Sequence, residues 1–258
     1  MTGQSLPRWW EPLARRAAAV DPGRLSRFVA APGQGRPAAV LILIAGGDSA
    51  VGGDSAVRGD GAVGGDSAVG GNSAVGPDIL LLERASTMRA HAGQPAFPGG
   101  ASDPADDGPA GTALREAAEE VGLDPATATV VGQLPTLWLP VSDFAVTPVL
   151  AWWHRPHPVE PADPAEVARV ARVPVADLAD PANRLRVRLR GGVLGPAFTV
   201  GEMLVWGFTA SLLTVLLELA GWSRPWDTER VEDLPEDVVE LARQTRPRDA
   251  PGTGAAAT

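Results

Sequence analysis

The chain has 258 residues and a formal net charge of −9, with 31 acidic residues against 22 basic ones, all of them arginine, and neither cysteine nor tyrosine. That composition excludes a cysteine nucleophile, a disulfide frame, a thiolate metal site, a Schiff-base lysine and a lysine-dependent phosphate loop. The acidic balance argues against nucleic-acid binding, and three histidines (His91, His154, His157) are too few for a multi-histidine centre, so carboxylate-held hard cations are the remaining metal chemistry.

Hydrophobic residues make up 45% and charged residues 21%, enough for a buried core in one large domain, or a medium one with tails. No apolar run follows Met1, so no secretory signal is visible and a cytoplasmic location is expected. Residues 8–30 read as one or two short helices. The runs 38–45 and 78–84 are continuous β-branched and leucine stretches, which predicts two buried strands. Between them lies a tandem hexapeptide, GGDSAV with variants, over 46–75. Its spacing resembles that of a left-handed β-helix, but five units make fewer than two coils, so little surface would be buried for a large loss of glycine entropy. Residues 46–77 are therefore expected to be a flexible insertion.

Further strands are expected at 129–132, 137–139 and 144–153, while 166–175 mixes helical and strand periods. The alternation RLRVRLR at 184–190 predicts a strand with one solvated face. The apolar stretch 204–222 is at the short limit for a membrane span and carries Glu218, so a buried core helix is the better reading and no membrane partner is expected. An acidic tail follows over 223–258, with a short helix at 235–243 and a disordered Pro/Gly/Ala end.

The chemistry concentrates between Phe97 and Leu123. After Phe97-Pro98-Gly99-Gly100 and a loop holding Asp103, Asp106 and Asp107, a helix is expected from a Thr112 cap to a Gly122 stop. Leu114, Ala117, Ala118 and Val121 share one arc; Arg115, Glu116, Glu119 and Glu120 share the other. Three carboxylates within one turn repel one another, and a divalent cation such as Mg2+ or Mn2+ would relieve that repulsion. The alternative is an ordinary solvated face.

Residues 115–123, REAAEEVGL, resemble the second half of the Nudix box, R-E-U-x-E-E-x-G-U with U apolar. The first half fits in two registers: Gly100 with Asp106 leaves one residue too many before Arg115, and counting back from Arg115 selects Ala101 and Asp107. The run from Leu80 to Gly100, including Arg84, Arg89, His91, Gly93 and Gln94, is similar to the motif preceding the box in coenzyme A diphosphatases. Gly132-Gln133-Leu134, Val146-Thr147-Pro148, Glu166-Val167 and the WGFTA run at 206–210 resemble that subfamily in order.

The resemblance implies an α/β Nudix fold, a mixed β-sheet sandwiched between helices, over 36–222. It leaves a helical segment at 1–35, the 46–77 insertion and the 223–258 tail outside. It implies metal-dependent hydrolysis of the diphosphate of coenzyme A and its derivatives to 3′,5′-ADP and 4′-phosphopantetheine. Glu116, Glu119, Glu120 and the Gly100 carbonyl are the implied Mg2+ or Mn2+ ligands. Glu119, Glu116, Arg115 and Glu166 form the catalytic set, and Arg84, Arg89 and His91 meet the phosphates. Two alternatives stand beside it: a Nudix hydrolase for another nucleoside diphosphate derivative, and an inactive scaffold organised by the insertion. The partner expected is the small-molecule substrate. A homodimer is compatible with the sequence, which does not report oligomeric state.

Overall fold

The structure is a computed structural model, and it describes residues 5–25, 29–46, 76–86, 92–140, 142–189, 192–236 and 238–239. The insertion's residues 47–75, together with Arg89 and His91, lie outside the described residues.

Two short helices, α1 (Trp10–Ala18) and α2 (Pro22–Leu25), precede β1 (Arg36–Ala45). After the insertion come β2 (Asp78–Arg84), β3 (Pro95–Ala96), β4 (Gly99–Ala101) and helix α3 (Gly108–Val121). Then follow β5 (Ala128–Gln133), β6 (Leu137–Leu139), β7 (Phe144–Trp153), β8 (Val167–Pro174) and α4 (Val175–Ala179). The chain closes with β9 (Arg184–Arg188), β10 (Leu194–Val200), β11 (Met203–Trp206), α5 (Gly207–Ala220) and β12 (Val231–Asp233).

The main sheet is mixed. β1 runs parallel to β7 over ten register pairs, and its other contacts are antiparallel. β1 and β2 are buried on both faces over most of their length, which is why they read as continuous apolar runs rather than alternating ones. Ala39, Leu41 and Leu43 face one core with Ala113, Ala117 and Val121 of α3. Ile42 and Ile44 face a second core with Trp10, Leu13 and the leucines of α5, each contributing ~1.5–3 kcal/mol by its burial. A second sheet, ordered β11-β10-β9-β12, packs the inner faces of β10 and β11 into that second core.

One feature of the main sheet positions the site. β1 and β2 pair only at Ile44↔Ile79 and Ala45↔Asp78, then diverge. Residues 95–101 fill the wedge: β3 adds to β2 and β4 adds to β1, and the Leu41 amide donates to the Pro98 carbonyl at 2.7 Å.

Four sequence expectations change here. The box helix starts at Gly108 rather than Thr112, because Pro109 sits in the first turn, where its missing N–H costs nothing. Thr112 is buried within the helix instead of capping it. Along the same helix Ala113 and Glu120 are buried, while Leu114 is only partly so. The apolar run 204–222 divides, since Met203–Trp206 pairs with β10 and the helix begins only at Gly207 with φ +66°.

The solvated face expected for β9 holds at Arg188 but fails at Arg184, which is 2% exposed. Phe198 lies opposite it in register, Trp226 covers its guanidinium at 4.7 Å, and its Nη1 donates to Ser223. The stretch beyond residue 222 also contributes a strand, as β12 pairs in parallel with β9. Among the described residues no helix is long and apolar enough to cross a membrane.

Candidate active site

The wedge delivers Gly99 and Gly100 beneath the polar arc of α3. Gly99 has φ +156°, and a Cβ there would lie 2.3 Å from the Ala39 carbonyl oxygen, so only glycine lets the chain press against β1. Its amide donates to Glu120 Oε2 at 2.9 Å. At Gly100 a Cβ would lie 2.5 Å from the Glu116 carboxyl carbon, which places this backbone directly against that carboxylate.

Arg115 organises the carboxylates. Its Nε and Nη2 donate to the two oxygens of Asp106 at 2.8 and 3.0 Å, a fork geometry that suits guanidinium and carboxylate planes. Nη1 donates to Glu116 at 3.0 Å and to Glu119 at 2.9 Å, and Nη2 also reaches the Ala101 carbonyl. The Thr112 hydroxyl and the Asp103 amide each donate to Asp106 at 2.8 Å. Those donors, led by Arg115, hold the Asp106 carboxyl well below the usual carboxylate range, and Asp106 in turn raises Arg115. Of the two registers left open by the sequence, the structure selects Asp106; Asp107 merely precedes the helix, with no side-chain cap bond.

Glu120 is 9% exposed, and burial pushes its carboxyl up to about 7, against the lowering effect of the Gly99 amide and Arg84. The charges of Glu116 and Glu166 add to the upward shift. Burial also raises Glu116, offset in part by Arg115. Arg84 stands 3.6 Å from Glu120 Oε1, and its Nε is buried with no hydrogen-bond partner. A register shift between Glu83 and Arg84 against β8 sets Arg84 opposite Val167, so the bulge brings Arg84 and Glu166 to the same end of the sheet. The Glu166 carbonyl accepts from the Ala85 amide at 2.9 Å, and this residue lies in the turn that enters β8.

The structure thus gathers Gly100, Glu116, Glu119, Glu120 and Arg115 along the polar face of α3, with Arg84 and Glu166 beside them. Glu119 is the exposed member, and it accepts from Arg115. His154 and His157 lie outside this group, beyond the Gly122 stop of α3. Among the described residues no three acids or histidines converge on one point closely enough to enclose an ion; Glu116 and Glu119 turn to Arg115, and Glu120 to Gly99. The donors are nonetheless oxygen alone, and two half- to fully buried acids share too little positive charge. A hard divalent cation fits that chemistry. Sequence spacing did not pair the Gly99 amide with Glu120, which it meets only through the wedge, and it read Thr112 as a helix cap where the structure makes it a donor to Asp106.

Residues 68–190 match the NUDIX domain family. An uncharacterized Nudix hydrolase NudL of Cronobacter sakazakii is 51% identical over 74 residues, covering 29% of this chain and 38% of that protein. The NudL of Pectobacterium atrosepticum is 53% identical over the same coverage. The chain thus spans about 38% of the length of these relatives. Among solved structures, a Nudix hydrolase from M. Smegmatis, RenU, aligns at 19% identity and TM-score 0.42 over 74% of this chain and 89% of its own. One from Alicyclobacillus acidocaldarius aligns at 20% and 0.39, over 73% and 93%. Residues 68–190, just under half of the chain, are thus similar to a Nudix domain, and a mixed sheet between helices is the layering of that fold.

Proposed function

We propose that this Nudix domain hydrolyses the diphosphate bond of coenzyme A and its derivatives, releasing 3′,5′-ADP and 4′-phosphopantetheine or its acyl form. The observation that carries the hydrolytic reading is the buried Glu120 carboxylate between the Gly99 amide and Arg84, with Glu116 on the neighbouring turn. The coenzyme A assignment rests on the run from Leu80 to Gly100 and its similarity to the diphosphatase motif.

Glu116, Glu120 and the Gly100 carbonyl would hold Mg2+ or Mn2+, with Glu119 as a further ligand or as the group that takes the proton from the attacking water. The bound metal supplies charge neutralisation for the phosphates and a lowered pKa for water. Arg115 orients Glu116 and Glu119 while Asp106 fixes Arg115 in place. Arg84 offers its unpartnered Nε and its Nη1 to a phosphate oxygen, a contact for which a guanidinium is suited. Arg89 and His91 belong to the same proposed phosphate-binding run. Glu166 completes the set as a second acid near Glu120, and an acidic chain accepts an anionic substrate because cations intervene.

A substrate panel with Mg2+ or Mn2+ tests the assignment: coenzyme A is expected to turn over faster than ADP-ribose, and the reverse order sinks the coenzyme A reading. Glu120→Gln is expected to abolish metal-dependent hydrolysis with the fold retained; unchanged turnover would remove Glu120 from the site.

A further inference from the structure

The segment between β7 and β8, residues 154–166, runs along the C-terminal end of α3 as a strap. Pro156, Pro158, Pro161 and Pro164 stiffen it. It is bonded to the last turn of the site helix: the Ala162 amide donates to the Glu120 carbonyl at 3.0 Å and the Glu160 amide to the Val121 carbonyl at 3.3 Å. Those carbonyls would otherwise lack partners, as helix ends do. Val159 packs against the α3 core, and the strap ends in the Asp163 turn that presents Glu166, where the Glu166 amide donates to the Asp163 carbonyl at 3.0 Å.

At the strap's other end stands His157. Its Nε2 accepts from the Asp124 amide at 3.0 Å, just beyond the Gly122 stop of α3. Its Nδ1 lies 2.8 Å from the Pro158 carbonyl, which can only accept, so Nδ1 carries the proton and Nε2 is the bare nitrogen. The ring meets Trp153 edge-on at 5.4 Å, and the Trp153 indole N–H is itself tied to Thr127 at 3.0 Å. The imidazole therefore joins the end of β7, the end of α3 and the start of the strap at one point.

We infer that His157 is a positioning residue for the hydrolytic site: it pins the strap to the end of α3 and so fixes where Glu166 stands relative to Glu120. The inference rests on the reading of Glu166 as a member of that site. A flexible loop would dissipate the constraint over thirteen residues, whereas four prolines and two bonds to α3 carry it to Glu166.

His157→Leu keeps a side chain against Trp153 but cannot accept from Asp124, whereas His157→Gln places an amide oxygen near the Nε2 position. In the full-length protein without metal, His157→Leu is expected to speed amide hydrogen exchange at Asp124, Glu160 and Ala162, with Ile42 and Val149 unchanged. Mn2+ binding, titrated without substrate, is expected to weaken, and kcat to fall by about tenfold with KM for coenzyme A nearly unchanged, the usual cost of losing an outer support of a metal site. His157→Gln should restore both. Should leucine prevent folding, His157→Asn repeats the test, since its side chain ends short of the Asp124 amide. Unchanged exchange at Glu160 and Ala162 overturns the inference, as does faster exchange with Mn2+ binding and kcat at the wild-type level. Glu166→Gln is run in parallel. If it leaves turnover unchanged, the reading of Glu166 falls and the inference with it; if it impairs turnover while His157→Leu does not, the inference alone falls.

Discussion

Glu120 shows how one residue can oppose the fold it belongs to. Its carboxyl is pushed up to about 7 by burial, so the folded chain keeps a proton that the unfolded chain has already lost. Below the ordinary glutamate value both states are protonated and Glu120 costs nothing. Between that value and about 7 stability falls as pH rises, and above about 7 the full cost applies, on the order of 3 kcal/mol. Glutamine keeps an acceptor for the Gly99 amide without the charge. The expected outcome is that Glu120→Gln melts above the wild type at pH 8 in a chelator, with the gap closing towards pH 4. Melting curves at the two pH values check it, and a gap independent of pH would contradict the burial argument. A residue that destabilises the metal-free protein yet sits at the centre of the site is the pattern expected where function, not stability, holds it there.

At the scale of elements, the wedge between β1 and β2 decides the site. The two adjacent glycines that enter it do different work. At Gly99 a Cβ would collide with backbone, the Ala39 carbonyl being fixed by the sheet, whereas at Gly100 it would meet the far end of the Glu116 side chain.

 Gly99→Ala is therefore expected to lower the melting temperature, by an overpacking cost of about 1–3 kcal/mol or more. Gly100→Ala is expected to fold nearly normally but to lose turnover by roughly 10²-fold, because the displaced Glu116 carboxylate leaves its working position. Thermal melts alongside kinetics separate the two, and equal effects on both measures would refute the distinction. Both glycines were visible in the sequence as a Pro-Gly-Gly signal. Which of them serves the backbone and which the carboxylate was not, because that depends on Val40 and Ala39, some sixty residues away.

For the whole molecule, the position of the insertion matters more than its composition. It leaves from the Ala45↔Asp78 end of β1 and β2, whereas Gly99 and Gly100 pair with Val40 and Ala39. Five residues of strand separate the two places, about 16 Å at the rise of an extended chain. Replacing residues 47–75 by a short hairpin turn is thus expected to leave kcat and KM near the wild-type values, as steady-state kinetics of the shortened protein would show. Loss of turnover would favour a role for the insertion in the activity. The N-terminal helix is a different case: Trp10 and Leu13 are fully buried, and Arg16 donates to the Leu219 carbonyl at 2.8 Å. What the sequence presents as a leading segment is part of the second core.

By itself the sequence determined β1, β2, β5, β6 and β7 of the main sheet, the box helix and its glutamates, because those signals are local: apolar runs, a 3.6-residue period, and a glycine stop realised at Gly122 with φ +68°. It left the mixed pattern of 166–175 undecided, and pairing along the whole of β2 made it a strand. Only the tertiary structure decided that Asp106 rather than Asp107 anchors Arg115, that the 204–222 run divides into strand and helix, and that Arg184 is buried under Trp226. Each of these depends on a partner distant in sequence or on a side chain's direction, and no local period records which long-range neighbour will supply the hydrogen bond or exclude the water.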